Sequence, residues 1–137
     1  MMKKKKNNKG FSLVELIVVI AIMAVLVGVL APQFIGYVAK SKVSTDLQNA
    51  DSLKSAVEIA IAEADSASTA TVTVSGSGKT ITVAGTGLTF AVSSVSLKAT
   101  WSDGAYTYSA STGWATTTDS TTTDVTPNHQ LSEVFTN

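Results

Sequence analysis

An apolar run, FSLVELIVVIAIMAVLVGVLA at residues 11–31, decides the fold of this chain. Ser12 and Glu15 are its only hydroxyl-bearing or charged residues. At ~1.5 Å per residue, the 21 residues of the run would span roughly 31 Å as a helix, about one hydrocarbon core. The run is far too long for one strand. It therefore predicts a single transmembrane helix.

Glu15 is the most informative residue of this run, because a charge near the middle of a membrane helix costs roughly 2.5–3.5 kcal/mol on insertion scales. The cost is smaller toward the helix ends, and Glu15 lies one turn inside the run. One interpretation is a functional carboxylate that has a partner. The other is a carboxylate at headgroup level that favours the helix N-terminus by ~0.3–1 kcal/mol. Membrane energetics alone leave both interpretations open.

The charges of the chain are distributed unevenly. Ten basic and ten acidic residues cancel, yet five of the lysines precede Gly10 and every acidic residue follows it. Residues 1–10 are therefore interpreted as a leader that stays on the cytoplasmic side of the membrane. The remaining five lysines and ten acids give a net charge of −5, which disfavours nucleic-acid binding. The absence of cysteine excludes disulfides and thiolate metal sites, and a single histidine excludes a histidine cluster.

The helical pattern continues beyond the membrane segment. Apolar residues recur at helical spacing between residues 38 and 64, while charged residues occupy the other faces, which predicts one long helix from about Ser12 to Asp65. The apolar stripe comprises Val43, Leu47, Ala50, Leu53, Val57, Ala60, Ile61 and Ala64, and the charged residues are Lys42, Asp46, Asp51, Lys54, Glu58 and Glu63. Gly28 and Pro32 predict a kink, because Pro32 lacks the amide that would bond the Gly28 carbonyl.

The rest of the chain, residues 67–137, predicts a β-rich head. Residues 70–75 and 80–84 alternate in polarity and predict a hairpin closed by Gly76–Lys79, a segment that lacks the spacing of a phosphate loop. Further strands are expected at residues 88–92, 95–101 and 105–109, with Asp103-Gly104 as a two-residue turn. The Thr-rich stretch 116–126 is expected to be a surface loop or disordered. Leu131, Val134 and Phe135 are expected to pack the tail onto the sheet.

Several residues of the head are candidates for chemistry. Four aromatic residues, Trp101, Tyr106, Tyr108 and Trp114, fit either a carbohydrate-binding patch or a core, and we favour the core. Asp119 and Asp124 are weak candidates for calcium ligands, because two loop acids without a ligand spacing carry little weight. No other metal site or cofactor is expected. His129 is interpreted as an exposed tail residue, and Lys40 and Lys42 as interfacial or subunit-contact charges.

The segment Gly10-Phe11-Ser12-Leu13-Val14-Glu15, after a short Lys-rich leader and before an apolar helix, closely resembles the type IV prepilin processing motif. The resemblance covers residues 1 to about 65. It implies a pilin-like α+β fold, with a long N-terminal helix packed on a small antiparallel sheet formed by residues 70–116. The expected organisation is a leader (1–10), a transmembrane or filament-core helix (11–31), its amphipathic continuation (32–66) and the head (67–137).

The resemblance also implies roles for individual residues. A prepilin peptidase would cut between Gly10 and Phe11 and methylate the new N-terminal amine of Phe11. Glu15 would pair with the N-terminal amine of a neighbouring subunit during assembly. The protein would be a structural subunit and not an enzyme. Its partners would be copies of itself, the peptidase, membrane lipid before assembly, and an inner-membrane platform with its ATPase. Its head would lie outside the cell, first membrane-anchored and then on a surface filament.

Three classes of function stay open at this point: a type IV pilus subunit for adhesion or motility, a pseudopilin of a type II secretion or DNA-uptake machine, and a membrane-anchored binding module. The Thr/Ser-rich head favours the filament subunit, and Glu15 would be hard to explain in a plain anchor. A cleaved secretory signal ending at Val29-Leu30-Ala31 is disfavoured by Pro32, by the length of the run and by Glu15. The absence of a C-terminal cysteine pair leaves open how the tail is held, and mildly favours a Gram-positive source.

Overall fold

The computed structural model describes residues 10–64, 67–77 and 79–137. The chain forms two compact units, one ending at Ile35 and the other comprising Gly36–Asn137. Three predicted features lie wholly or partly outside the described residues: leader residues 1–9, the expected helix end at Asp65, and residue 78 of the hairpin turn.

One helix, α1, spans Leu13–Glu63 and confirms the predicted long helix. Pro32 lies inside α1, and the expected kink at Gly28 and Pro32 stays a prediction. In the first unit, every described residue is exposed. This unit therefore buries no apolar side chain of its own, although it is the most apolar part of the sequence.

In the second unit, α1 packs its apolar stripe against the sheet. The buried stripe residues are Val43, Ala50, Leu53, Val57, Ala60 and Ile61, as the spacing predicts, whereas Leu47 is only partly buried. Asp46, which the helical pattern placed on a solvent face, is fully buried, and that expectation was wrong. The reason is that Asp46 accepts hydrogen bonds from the segment that crosses over it, as described below.

Five strands form an antiparallel sheet in the spatial order β3-β2-β1-β4-β5, which confirms the α+β architecture. The strands are β1 (Thr69–Ser75), β2 (Thr80–Ala84), β3 (Ser94–Ser96), β4 (Gly104–Ser109) and β5 (Gly113–Thr118). The predicted hairpin is β1–β2, in which Val72 pairs with Val83 and Val74 with Ile81. β-Branched residues on the inner face of this hairpin pack onto α1 and give the core its centre.

Two strand predictions between the hairpin and β4 were wrong. Residues 88–92 form no strand, because β2 has one free edge and Ser94–Ser96 occupies it. Leu88, Phe90 and Val92 instead pack against the core as an irregular segment. The strand expected at residues 95–101 is limited to its start, because Asp46 holds the backbone that follows.

The turn expected at Asp103-Gly104 was also wrong. Gly104 opens β4, and β3 and β4 are not neighbours in the sheet, so these residues close no hairpin. Asp103 Oδ1 instead accepts a hydrogen bond from the Gly76 amide at 2.7 Å. A Cβ at Gly76 would collide with the Trp101 carbonyl, which explains the glycine at this close approach.

The Thr-rich stretch is more ordered than its composition predicts. It completes β5 and supplies β6 (Thr121–Thr122), which pairs with β7 (His129–Gln130) in a small two-stranded sheet. Ser120 and Thr122 are fully buried. A short 3₁₀ helix, Leu131–Glu133, follows β7, and Leu131 and Phe135 enter the core as predicted.

Candidate functional site

The start of α1 holds Glu15 in a capping box. The Ser12 amide donates to Glu15 Oε2 at 3.0 Å, and the Glu15 amide donates to Ser12 Oγ at 3.3 Å. Because α1 begins at Leu13, Ser12 is the N-cap residue and Glu15 the third residue of the helix. Two amides that have no partner within the helix are thereby satisfied. The S-x-x-E spacing is a sequence signature of this motif, and sequence reasoning missed it.

The surroundings of Glu15 are apolar and open. Its neighbours Leu13, Val14 and Leu16 are all more than half exposed. Neither ion pair found among the described residues involves Glu15. The capping box engages Oε2, so the carboxylate keeps an oxygen available for a donor from another molecule. The capping box and the positive end of the helix dipole therefore give Glu15 a role within its own helix, while its charge has no cationic partner among the described residues.

Gly10 and Phe11 lie immediately before the helix and are exposed. Phe11 is 92% exposed, and a Cβ at Gly10 would meet no atom within 4 Å. The described part of the chain therefore gives no internal reason for a glycine at position 10. A requirement for Gly10 would come from another protein that approaches the Gly10–Phe11 bond closely.

α1 is long and apolar enough to cross a membrane, judged by length and composition, and the most apolar part of it is not buried within the chain. Gly28 and Pro32 both lie in this exposed part, and a Cβ at Gly28 would meet open space. An exposed apolar surface of this size on one helix requires a nonaqueous or protein environment. The arrangement fits a helix that is covered either by lipid or by other protein chains.

Asp46, in the second unit, is a buried charged residue whose hydrogen bonds the sequence did not predict. Its carboxylate accepts hydrogen bonds from the Lys98 amide (2.8 Å), the Ala99 amide (2.8 Å) and Trp101 Nε1 (2.9 Å). Three donors satisfy this buried carboxylate, which forms no ion pair with any residue that the structure describes. Asp46 thus fixes the crossing segment to α1, and its role is structural.

The two calcium candidates lie in separate hydrogen-bonded settings. Asp119 accepts from the Tyr106 hydroxyl at 2.6 Å and from the Ser132 hydroxyl at 2.6 Å, and Asp124 accepts from the Thr100 amide at 2.7 Å. Burial opposes ionisation of Asp119, but the hydrogen bonds from Ser132 and Tyr106 outweigh it and lower its pKa. Across residues 10–64, 67–77 and 79–137, no three His, Cys, Asp or Glu side chains are grouped to hold a metal.

The remaining candidates have structural settings. Trp101, Tyr106 and Trp114 are buried, which confirms a core role over a surface patch, and Tyr108 stacks partly buried on Trp114. Burial, followed by the hydrogen bond to Asp119, raises the pKa of Tyr106. His129 is half-exposed and lies 3.2 Å from the Glu133 carboxylate.

Comparison with known proteins finds a family motif in the N-terminal part of the chain and relatives that align with less than half of it. The family described as the prokaryotic N-terminal methylation motif matches residues 5–31, which include Gly10, Phe11 and Glu15. A fimbrial protein of Pseudomonas aeruginosa is 40% identical over 58 residues, which are 42% of this chain and 38% of that protein. The type IV major fimbrial protein FimA of Dichelobacter nodosus is 35% identical over 57 residues, 42% of this chain and 36% of FimA.

A third relative is the prepilin peptidase-dependent protein A of Clostridium perfringens, 43% identical over 60 residues and covering 43% of each chain. The aligned part spans less than half of each of these relatives. No solved structure matches the chain. The chain thus carries the N-terminal methylation motif on the segment that holds the capped Glu15 and the exposed apolar helix, and over part of its length it is similar to type IV fimbrial proteins.

Proposed function

We propose that this protein is a structural subunit of a type IV pilus filament that polymerises through α1. The observation that carries the proposal is the exposed apolar N-terminal part of α1, residues 13–35, whose single carboxylate, Glu15, lies at its start with one oxygen engaged by Ser12. In this proposal, prepilin peptidase cuts between Gly10 and Phe11 and methylates the Phe11 amine. Glu15 then pairs with the N-terminal amine of a neighbouring subunit.

Electrostatics in a low-dielectric filament core support this pairing. A carboxylate that leaves water loses solvation worth several kcal/mol, and a cation in contact offsets that loss. The new amine at Phe11 would be the nearest cation to the Glu15 level of an adjacent, axially shifted chain. Removal of either partner leaves one charge buried and unpaired, which is the unfavourable case.

Before assembly, the same apolar helix would be stored in the membrane with the leader on the cytoplasmic side and the head outside. Its length suits one hydrocarbon core. Transfer of α1 from lipid to filament exchanges one apolar environment for another, so extraction by an inner-membrane platform and its ATPase need not overcome the full cost of exposure to water. A repeated heterologous helix contact gives an open filament.

The proposal is tested by replacing Glu15 with alanine in cells that make the filament. We expect Glu15→Ala to remain membrane-inserted and processed, with a mature mass that starts at Phe11 and includes one methyl group. We expect at least a tenfold loss of sheared surface filaments relative to total mature subunit, because the incoming amine loses its partner. Filaments are quantified by electron microscopy and by immunoblotting of the sheared fraction.

Ser12→Ala is the matched control for loss of the cap alone, since it removes one hydrogen bond and leaves the carboxylate in place. Its effect on filament yield should be well below that of Glu15→Ala. Normal filaments from Glu15→Ala would contradict the assembly role, and a mature protein that retains residues 1–10 would contradict the processing.

The alternative is a pseudopilin of a type II secretion or DNA-uptake machine. That alternative expects the same processing but no long surface filaments, and a secretion or transformation defect when the gene is deleted. The name of the Clostridium relative refers only to peptidase dependence, whereas the Pseudomonas and Dichelobacter relatives are named fimbrial proteins. Those names favour the pilus subunit.

A further inference from the structure

An open groove runs along one side of α1 in the second unit, between the helix and the C-terminal segment. We call it the tail groove. It encloses about 580 Å³ and is lined by Leu47, Gln48, Asp51, Ser52, Lys54, Glu133 and Val134. Leu47 and Val134 are partly buried and supply an apolar floor, whereas Asp51 and Glu133 are exposed at its rim. A long side chain with an apolar stem and a charged end matches this lining.

Most charged groups of the tail groove already have partners. Glu133 accepts from the Gln130 amide at 3.0 Å through Oε1, and its Oε2 lies 3.2 Å from His129 Nδ1. The Lys54 ammonium donates to the Thr136 carbonyl at 2.8 Å and lies 4.0 Å from Glu58. Within the described parts of the chain, the Asp51 carboxylate has no hydrogen bond and no ion pair. Among the described residues that line the groove, Asp51 is therefore the charge that is free to receive a cation.

Lys42 is an exposed cation on the opposite side of the same helix. Nine residues separate it from Asp51, and at about 3.6 residues per turn they are two and a half turns apart, so the two side chains project in opposite directions. Lys42 forms neither of the ion pairs found among the described residues. Lys40 differs, because its eleven-residue spacing from Asp51 is close to three full turns and places both on one side.

We propose that Lys42 of one copy enters the tail groove of the next copy and pairs with Asp51. This inference rests on the proposed filament, because it extends the parallel contact between α1 helices upward into the head. A donor on one side of α1 and an acceptor on the other make the contact heterologous, so it repeats without closing. The two sites are offset by roughly 14 Å along the helix, whereas Glu15 and the Phe11 amine are offset by roughly 6 Å, so this contact joins a copy to a different neighbour from the one whose amine meets Glu15.

The lysine stem would cover the apolar floor formed by Leu47 and Val134, and the ammonium would meet Asp51 at the rim. Lys54 is the charge that opposes entry, but its ammonium is already engaged by Thr136 and Glu58. Glu133 stays ionised, since hydrogen bonds from Gln130 and His129 lower its pKa. The charges around the site therefore favour a cation over an anion.

A charge swap in the filament-forming cells tests the pairing. We expect Lys42→Glu and Asp51→Lys each to reduce the sheared-filament yield about tenfold, because each creates a like-charge contact. The double variant should recover to within about twofold of the wild type, since it restores an opposite pair in reversed order. The matched control is Lys40→Glu. Combining it with Asp51→Lys should not restore the filament yield that Asp51→Lys alone reduces.

The absence of cysteine from the chain permits a second test by cross-linking. Lys42→Cys combined with Asp51→Cys should give a ladder of linked oligomers when filaments are treated with a bis-maleimide cross-linker about as long as a lysine side chain, since the two Cβ atoms lie too far apart for a direct disulfide. Lys40→Cys combined with Asp51→Cys should give no ladder. Wild-type yields from both single charge variants, failure of the double variant to recover, or equal ladders from both cysteine pairs would each overturn the contact. In each of these cases the wild-type protein still forms filaments. Loss of the Lys42–Asp51 contact is therefore distinguishable from failure of the proposed function.

Discussion

The carboxylate of Asp46 shows how a single side chain can determine the path of a whole segment. Replacing it with asparagine removes the charge and presents an NH₂ group to donors that need an acceptor. We expect Asp46→Asn to reduce the free energy of unfolding by about 2–4 kcal/mol, because buried donors lose their partners. The measurement is chemical unfolding of the detergent-solubilised chain, followed by the fluorescence of Trp101 and Trp114.

Asp51→Asn is the matched control, since it makes the same chemical change at an exposed carboxylate of the same helix. Its effect on stability should stay within about 0.5 kcal/mol. Equal effects of the two substitutions would show that the three hydrogen bonds to Asp46 contribute no more than a surface charge does. Helical periodicity could not reveal this difference, because it assigns polarity to a face and does not identify the donors that a distant segment brings to it.

Among the helices and strands, the sequence predicted those whose residue pattern lies within one continuous segment of the chain. The length of α1 follows from one uninterrupted apolar and amphipathic pattern, and the β1–β2 hairpin follows from alternation around a Gly-rich turn. The prediction of a surface loop or disorder for the Thr-rich stretch was wrong because strands elsewhere in the chain order it. β4 pairs with β5, and β7 pairs with β6. The strand predicted at residues 88–92 is absent for the opposite reason, since no partner is available to it. An apolar alternating pattern becomes a strand only where a sheet offers a free edge.

The tail of the chain is held without a disulfide, and Asp119 is central to how it is held. Its folded pKa is lowered, so its stabilising contribution is present above the unfolded pKa near 3.8 and is lost as pH falls through the lower folded value. We expect Asp119→Asn to be less stable than the wild type by about 1 kcal/mol at neutral pH. This difference should shrink as pH falls through the folded pKa of Asp119, where the carboxylate becomes protonated. Unfolding midpoints measured from pH 2 to 7 would show it.

Glu133→Gln serves as the comparison, because the pKa of Glu133 is also lowered but Glu133 is exposed and its hydrogen bonds come from Gln130 and His129 of the adjacent β7. Its pH dependence should have the same sign and a smaller amplitude, since solvent screens an exposed pair. A stability difference for Asp119→Asn that persists unchanged at pH 2 would mean that shape, and not ionisation, explains the role of Asp119.

At the scale of the whole molecule, folding and assembly use different parts of the chain. Every core residue lies between Val43 and Phe135, inside the second unit. We therefore expect a fragment comprising Gly36–Asn137 to fold without detergent and to remain monomeric. Its five lysines and nine acidic residues give a net charge of −4, which favours solubility. Far-ultraviolet circular dichroism and sedimentation would check fold and mass.

The full mature chain is the control, and it should require detergent under the same conditions because its N-terminal apolar residues are exposed. The fragment retains Lys42 and Asp51, but one exposed ion pair between copies contributes only about 0.2–1 kcal/mol, too little to hold them together alone. The fragment should therefore stay monomeric even when concentrated. Filaments from it would place the assembly energy in the head and contradict a filament built on the N-terminal part of α1.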